Sequence, residues 1–142
     1  MMNRLRLKEN PFMLKQDYLT GMIHDMTKLL LKLLFHIDDE NFEDLTINDT
    51  TAAEKYTSYL KLADEGNINE AENLLYDSLN PRNNEELKTA FMFYNHLNRL
   101  DNKALEESNF SREEIQEGLQ RVLELFGYQE FAETVAQDLF QK

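Results

Sequence analysis

Three histidines, His24, His36 and His96, are the only side chains in the sequence suited to imidazole chemistry. A di-iron site in a helical bundle needs Glu-x-x-His, but glycine, leucine and phenylalanine stand three residues before them. The zinc-protease pattern His-Glu-x-x-His is also missing. His24 and His36 are separated by more than three turns of one helix, so they cannot meet at one ion. We therefore expect no metal site.

The sequence contains no motif that is typical of other kinds of catalytic chemistry. With no cysteine, the chain has no disulfide, thiolate zinc site or cysteine nucleophile. Residues 38–44 are rich in acids, but Phe42 interrupts the ligand positions of an EF-hand and the central glycine is missing. Neither Gly-x-Ser-x-Gly nor a glycine-rich phosphate loop occurs. We expect no catalytic or cofactor-binding residue, no cofactor, and a protein that is not an enzyme.

The charge is unevenly distributed along the chain. The formal net charge is −12; residues 1–32 contribute +3 and residues 33–142 contribute −15. Such an acidic body repels phosphate backbones, so we expect no nucleic-acid partner. Lys28 and Lys32 interrupt the most apolar stretch, which is too short to span a membrane. A cytoplasmic protein with no membrane partner is expected, with residues 1–12 as a flexible basic tail and 38–49 as an acidic linker.

The elements that must position any site are helices. Apolar residues recur at steps of three and four along a long N-terminal helix from about Leu14 to Ile37. Thr51 with Glu54, and Ser111 with Glu114, have the spacing of capping boxes. Asn67 and Asn84 are expected to cap two further helices, and Gly66 and Gly127 are expected helix ends. The pattern predicts a single all-α domain over residues 1–142, with about six helices, antiparallel hairpins and no sheet.

The stretch "DEGNINEAENLLYDSLNP", residues 64–81, is similar to the second half of a tetratricopeptide repeat. Gly66 corresponds to the turn between two antiparallel helices, and Ala71 to the small residue at their close approach. The sequence departs from that pattern in three ways: Pro81 comes early, Ser78 stands where alanine is usual, and Tyr59 stands where a small residue is usual. No second copy is evident at the 34-residue spacing that such arrays need. The resemblance implies one hairpin with repeat-like packing.

The N-terminal helix, "QDYLTGMIHDMTKLLLKLL", resembles the opening of an uncharacterised family of small acidic α-helical bacterial proteins. The Asp-Tyr pair, the Met-Ile step and the leucine-rich run carry this resemblance. It implies a helical fold of unknown activity. We accordingly expect a non-enzymatic interaction or structural module with a protein partner; the alternative is an enzyme or small-ligand binder whose site is assembled in a helical cleft.

Apolar residues that lie outside the core-facing side of a predicted helix define an expected interaction surface. In the N-terminal helix the apolar residues cover more of the circumference than one packing face needs. In the fourth predicted helix, which Asn84 begins, "FMFYNHL" places apolar residues on more than one face. The surface so defined comprises Leu29, Leu31, Phe35, Met92, Phe93 and His96. Coverage by other helices of the same chain is the alternative; coverage by a second copy predicts a homodimer through the N-terminal helix.

Overall fold

Seven α-helices make up the computed structural model, which describes residues 11–38 and 47–140 and contains no strand within those ranges. The expectation of an all-helical fold without a sheet is confirmed. A short helix, α5, is present in addition to those predicted. The helices are α1 (Pro11–Phe35), α2 (Thr50–Asp64), α3 (Ile68–Ser78), α4 (Asn84–Arg99), α5 (Asn102–Glu107), α6 (Arg112–Leu125) and α7 (Gln129–Phe140).

Helices α2, α5 and α6 each end at a left-handed residue that closes the same hydrogen-bonded motif. Gly66 has a φ of 89°, Gly127 of 86° and Asn109 of 54°. After each of them the next amide donates to the carbonyl five residues earlier, at N–O distances of 2.8, 2.8 and 3.0 Å. This bond closes a Schellman motif and satisfies a carbonyl at the end of the helix. The predicted glycine ends of α2 and α6 are therefore confirmed.

The capping box at the start of α6 is also present as predicted. Ser111 Oγ accepts from the amide of Glu114 at 3.2 Å, and Glu114 Oε2 accepts from the amide of Ser111 at 2.8 Å. Phe110 and Ile115, on either side of the cap, are both buried. The reciprocal hydrogen bonds and this apolar pair fix the angle at which the chain enters α6.

Two other expected caps are displaced by one or two residues. The N-cap of α2 is Asp49 rather than Thr51: its carboxylate accepts from the amides two and three residues later, at 2.9 and 3.2 Å. The N-cap of α4 is Asn83 rather than Asn84. A carboxylate is favoured at this position because the free amides and the helix dipole are both positive there.

The two segments expected to lack helix are only partly described. Pro11 and Phe12, expected in a basic tail over residues 1–12, are helical and belong to α1; residues 1–10 lie outside the described part. Of the expected acidic linker, residue 38 and residues 47–49 have no regular secondary structure, and residues 39–46 are not described. His36, with a φ of 58°, follows the end of α1.

Helix α4 is the centre of the fold. Twelve of its 16 residues are buried, because other helices cover it on several sides. The hairpin formed by α2 and α3 packs through α2 on one side of α4, while α1 and α6 pack on it elsewhere. Helix α7 contacts α6 and α1. The core therefore runs along the length of α4.

The hairpin of α2 and α3 accounts for two of the three departures from the repeat pattern, those at Tyr59 and Ser78. Ala71 is fully buried, as expected for a close approach between helices. The hydroxyl groups of Tyr59 and Ser78 form a hydrogen bond of 2.6 Å, which links α2 to the end of α3. The large residue and the hydroxyl in place of alanine are thus partners. A tyrosine hydroxyl in the hairpin needs such a partner, because an unpaired buried hydroxyl is costly.

A second hairpin, α6 and α7, repeats one local feature of the first. Ala132 is 2% exposed and follows Gly127 by five residues, the same spacing that separates Ala71 from Gly66. In both hairpins a left-handed glycine ends the first helix and a buried alanine lies in the second. The two glycines are 61 residues apart, so a comparison at a spacing of 34 residues does not align the hairpins.

Candidate functional site

A groove of about 720 Å³ lies where the first turns of α1 meet α5 and the start of α6. Leu105 and Phe110 form its base, since they are only 2% and 6% exposed. Phe12 lies at its edge, with 58% of the residue exposed. The groove is open and mainly apolar, and its lining residues are Phe12, Lys15, Gln16, Asn102, Leu105, Glu106, Phe110, Ser111 and Glu113.

The groove depends on the connection between α5 and α6. Asn109, in the left-handed region, ends α5 and reverses the chain so that Phe110 is directed into the protein. The side chain of Asn69, on α3, holds this turn through bonds to the carbonyls of Ser108 and Asn109 at 3.4 and 3.3 Å. On the opposite wall, Asn102 Nδ2 lies 3.8 Å from the sulfur of Met13. The base and edge of the groove are therefore held by contacts among α1, α3 and α5.

Two carboxylates and one ammonium group make the polar rim of the groove. Lys15 Nζ lies 3.3 Å from Glu113 Oε2 and joins α1 to α6, although both side chains are substantially exposed. Burial acts to raise the pKa of Glu113, but hydrogen bonds from its own amide, Lys15 and Gln16 outweigh burial and lower it. Glu113 is therefore ionised at neutral pH. With Glu106 also on the rim, the groove is acidic.

Arg112 is a buried arginine whose hydrogen bonds all stay within the chain. Its guanidinium donates to the carbonyls of Asn98 and Leu100 at 2.8 and 2.7 Å. It also donates to the side-chain oxygen of Asn98 at 3.1 Å and twice to that of Asn102, at 3.3 and 3.1 Å. The arginine thus satisfies carbonyls at the end of α4 and fastens α6 to it.

A polar cleft of about 580 Å³ lies beside Arg112, between α1 and the connection from α4 to α5. Burial lowers the pKa of the guanidinium, while the charges of Asp17 and Asp101 act in the opposite direction. Asn98 Nδ2 donates to the carbonyl of Thr20 at 2.9 Å and so ties α4 to α1. Since the five hydrogen bonds of Arg112 are made to the chain itself, its role here is to join helices.

A second buried polar network joins α3, α4 and α6. Tyr94 Oη donates to Glu72 Oε2 at 2.7 Å and accepts from Tyr76 Oη at 2.8 Å. The Tyr76 hydroxyl also lies 3.2 Å from the carbonyl of Gly118, and the guanidinium of Arg121 lies 5.4 Å from the Tyr76 ring centroid. Burial is the largest cause that raises the pKa of both tyrosines and of Glu72. Both phenols therefore stay protonated and donate hydrogen bonds.

Three residues of the expected interaction surface lie in the core. Leu31 and Phe93 are fully buried and Met92 is 2% exposed. The ring of Phe93 packs edge-on against Tyr59 and Tyr94, with centroid distances of 6.0 and 5.3 Å. This corrects the expectation of an exposed patch at these positions. Helices α4, α6 and α7 contact α1, and α4 is enclosed on several sides, so the extra apolar faces are covered within one chain.

The other three residues of that surface are half-buried. Phe35 packs edge-on against Phe91, with ring centroids 6.2 Å apart. His96 Nε2 lies 2.7 Å from Asp64 Oδ1 and joins α4 to the end of α2. Leu29 is partly covered. None of these residues lines the groove. Local sequence patterns do not reveal the groove, because its α1 wall is far in the chain from α5 and the start of α6.

The described residues contain no group of three His, Cys, Asp or Glu side chains that could hold a metal ion. His24 lines the polar cleft, and His36 is exposed beyond the end of α1. Across residues 11–38 and 47–140, no helix is both long enough and apolar enough to cross a bilayer.

The protein is all-helical in its described part, with two helical hairpins that each turn at a glycine and with an apolar groove on its surface. The chain belongs to the family described as "Family of unknown function (DUF6483)", whose model matches residues 13–127. The expectation of an uncharacterised family is thereby confirmed. The match begins at the third residue of α1, ends two residues after α6 and includes the α2–α3 hairpin. No curated protein matches the chain, and no solved structure matches it.

Proposed function

We propose that this chain is a non-enzymatic interaction module that binds an apolar segment of a partner protein in the groove between α1, α5 and α6. The observation that carries the proposal is the position of Phe12, 58% exposed at the edge of a groove whose base is Leu105 and Phe110. Exposed aromatic residues beside apolar pockets are the usual anchors of protein interfaces.

The shape and chemistry of the groove support a protein segment rather than a small polar ligand. It is open along its length and mainly apolar, as expected for a surface that receives a side-chain stripe of a helix or an extended segment. The alternative, a small-ligand binder or enzyme, would use the polar cleft beside Arg112. That cleft is a weaker candidate because the guanidinium is engaged by Asn98, Leu100 and Asn102.

The proposal includes a role for the hairpins and a location. The α2–α3 hairpin, which resembles one unit of a tetratricopeptide repeat, supports α4 and does not line the groove. We assign it a scaffolding role. We also propose a bacterial cytoplasmic location, which the lack of cysteine fits.

Paired substitutions on α1 test the docking surface. Phe12→Asp places a charge in the groove, whereas Leu14→Asp makes a similar change at a residue 52% exposed that does not line it. Each tagged protein is used to capture partners from the native cell, and captured proteins are purified and tested again for direct binding. A direct partner that is retained by Leu14→Asp, lost by Phe12→Asp and cross-linked through Lys15 supports the proposal. Equal retention by the two variants refutes it.

A further inference from the structure

We infer that the segment received by the groove is basic as well as apolar: its apolar side chain packs between Phe12 and Phe110, and its lysine or arginine lies between Glu106 and Glu113. This inference rests on the proposed function and specifies the chemistry of the partner. The groove brings together a base of buried apolar residues and a rim with two carboxylates.

The charges on the rim are unbalanced in the absence of a partner. Glu106 is exposed and forms no ion pair within the described part of the chain. Within the described residues the ion-pair partner of Glu113 is Lys15, at 3.3 Å, and 63% of the lysine side chain is exposed. Gln16 and the amide of Glu113 itself also donate to this carboxylate. A lysine so exposed can move aside at little cost, because exposed ion pairs contribute roughly 0–1 kcal/mol. Glu106 is thus available to a cation from outside, and Glu113 can accept one in place of Lys15.

Docking of a neutral apolar segment would desolvate these carboxylates, and that costs free energy. Covering the groove removes water from Glu106 and Glu113, and a carboxylate that loses water without gaining a partner is destabilised. A guanidinium is the best replacement, since it donates two parallel hydrogen bonds to a carboxylate. A segment with a basic residue next to its apolar side chain therefore fits this groove better than a neutral or acidic one.

The charge of the whole chain points to a partner other than a second copy. The formal net charge is −12, and residues 33–142 alone carry −15. Net repulsion between two such chains disfavours a second copy in this groove, whereas a basic segment is attracted toward the surface before contact. The negative charge extends beyond the rim, since Glu114 and Glu117 of α6 are both exposed. This extension favours a basic partner. The occupant we commit to is a basic, amphipathic segment of a different protein.

Three synthetic peptides of equal length provide the test. All three carry the same helical stripe of leucine and phenylalanine, flanked by arginine and lysine in the first, by glutamine in the second and by glutamate in the third. Binding is followed by fluorescence anisotropy of labelled peptide at physiological salt. We expect the basic peptide to bind most tightly. A scrambled basic peptide, which lacks the stripe, separates docking from general attraction to an acidic protein.

Two double variants with the same net charge locate the binding site. Glu106→Gln with Glu113→Gln should weaken binding of the basic peptide by about fivefold to tenfold, the loss of two exposed ion pairs. Glu54→Gln with Glu70→Gln, on α2 and α3 away from the groove, should change it by about twofold or less. Circular dichroism checks that both variants remain folded. Equal weakening by the two double variants, or equal binding of the scrambled peptide, would overturn the inference.

Other outcomes separate this inference from the proposed function. If the glutamine-flanked peptide binds as tightly as the basic one and Phe12→Asp abolishes both, the docking groove stands and the basic partner is wrong. If no stripe peptide binds, the inference and the docking function are both refuted. A homodimer that Phe12→Asp converts to monomer would show that a second copy occupies the groove, and would also overturn the inference.

Discussion

Gly118→Ala tests a close contact in the core, between α6 and α4. A Cβ atom added at Gly118 would lie 2.3 Å from Cζ, 2.4 Å from Oη and 2.5 Å from Cε1 of Tyr94. The Tyr94 ring is fully buried and packs edge-on against Phe93 at 5.3 Å, so it has no open space into which to move. The extra methyl group must displace the ring, the helix or both.

The size of the effect follows from three contributions, of which two destabilise the protein and one stabilises it. Overpacking a core by a methyl group costs about 1–3 kcal/mol. Displacement of the Tyr94 hydroxyl weakens its 2.7 Å hydrogen bond to Glu72, and a bond to a charged group contributes about 1.5–3 kcal/mol. Alanine is favoured over glycine inside a helix by about 1 kcal/mol. Because a shifted ring keeps part of its hydrogen bonding, we expect a net loss of about 2–4 kcal/mol in the free energy of unfolding.

Urea unfolding followed by circular dichroism measures this loss, and thermal unfolding should show a fall in Tm of about 5–15 °C. Gly21→Ala is the matched control: Gly21 is an exposed glycine inside α1, and an added Cβ would meet no atom within 4 Å. This variant should be more stable than the parent by about 0.5–1 kcal/mol. The two alanine substitutions are therefore expected to change the free energy of unfolding in opposite directions, for a reason found only in the tertiary structure.

A double variant isolates the contact itself. Tyr94→Leu removes the three atoms that the new methyl group would meet, so Gly118→Ala should lose most of its cost in that background. The reasoning is refuted if Gly118→Ala is as stable as the parent protein. It is equally refuted if the cost of Gly118→Ala is the same with tyrosine and with leucine at position 94.

Three further predictions concern the hairpin, the half-buried carboxylate of Glu72 and self-association. Ala71→Leu should destabilise the protein by about 1–3 kcal/mol in urea unfolding, because Ala71 is fully buried; a neutral result would make the repeat resemblance superficial. Burial raises the pKa of Glu72, so its contribution to stability is present at low pH and is lost as the pH rises above 4.5 through the raised value. Glu72→Gln should flatten this decline in urea midpoints measured against pH, and Glu70→Gln, exposed on the same helix, should not; an unchanged decline in Glu72→Gln contradicts the assignment. A homodimer through the C-terminal half of α1 stays a prediction, and Leu33, 49% exposed there, replaces Leu31 as its probe; sedimentation equilibrium should show a dimer that Leu33→Glu dissociates, and a single species near 16.8 kDa would contradict it.

The sequence by itself was sufficient to identify most helices and several of their ends. Apolar spacing, the capping box at Ser111 and the glycines at 66 and 127 act between residues a few positions apart, so their effects are legible without a structure. The cap of α2 was misplaced because Asp49 and Thr51 are both good caps, and only the chain's path decides between them. Helix α5 was missed because its six residues are too few to show a helical period.

The groove and the buried networks were decided by the tertiary structure alone. Phe12 is more than 90 residues from Leu105 and Phe110 in the chain, and nothing local in the sequence indicates that it meets them. Position 118 requires glycine because the Tyr94 ring occupies the space that a Cβ atom would need, and only the tertiary structure shows this. A sequence shows how much apolar surface a helix carries, but the packing of all the helices determines which of it is covered. Burial depends on contacts between residues far apart in the chain, and local patterns do not contain that information.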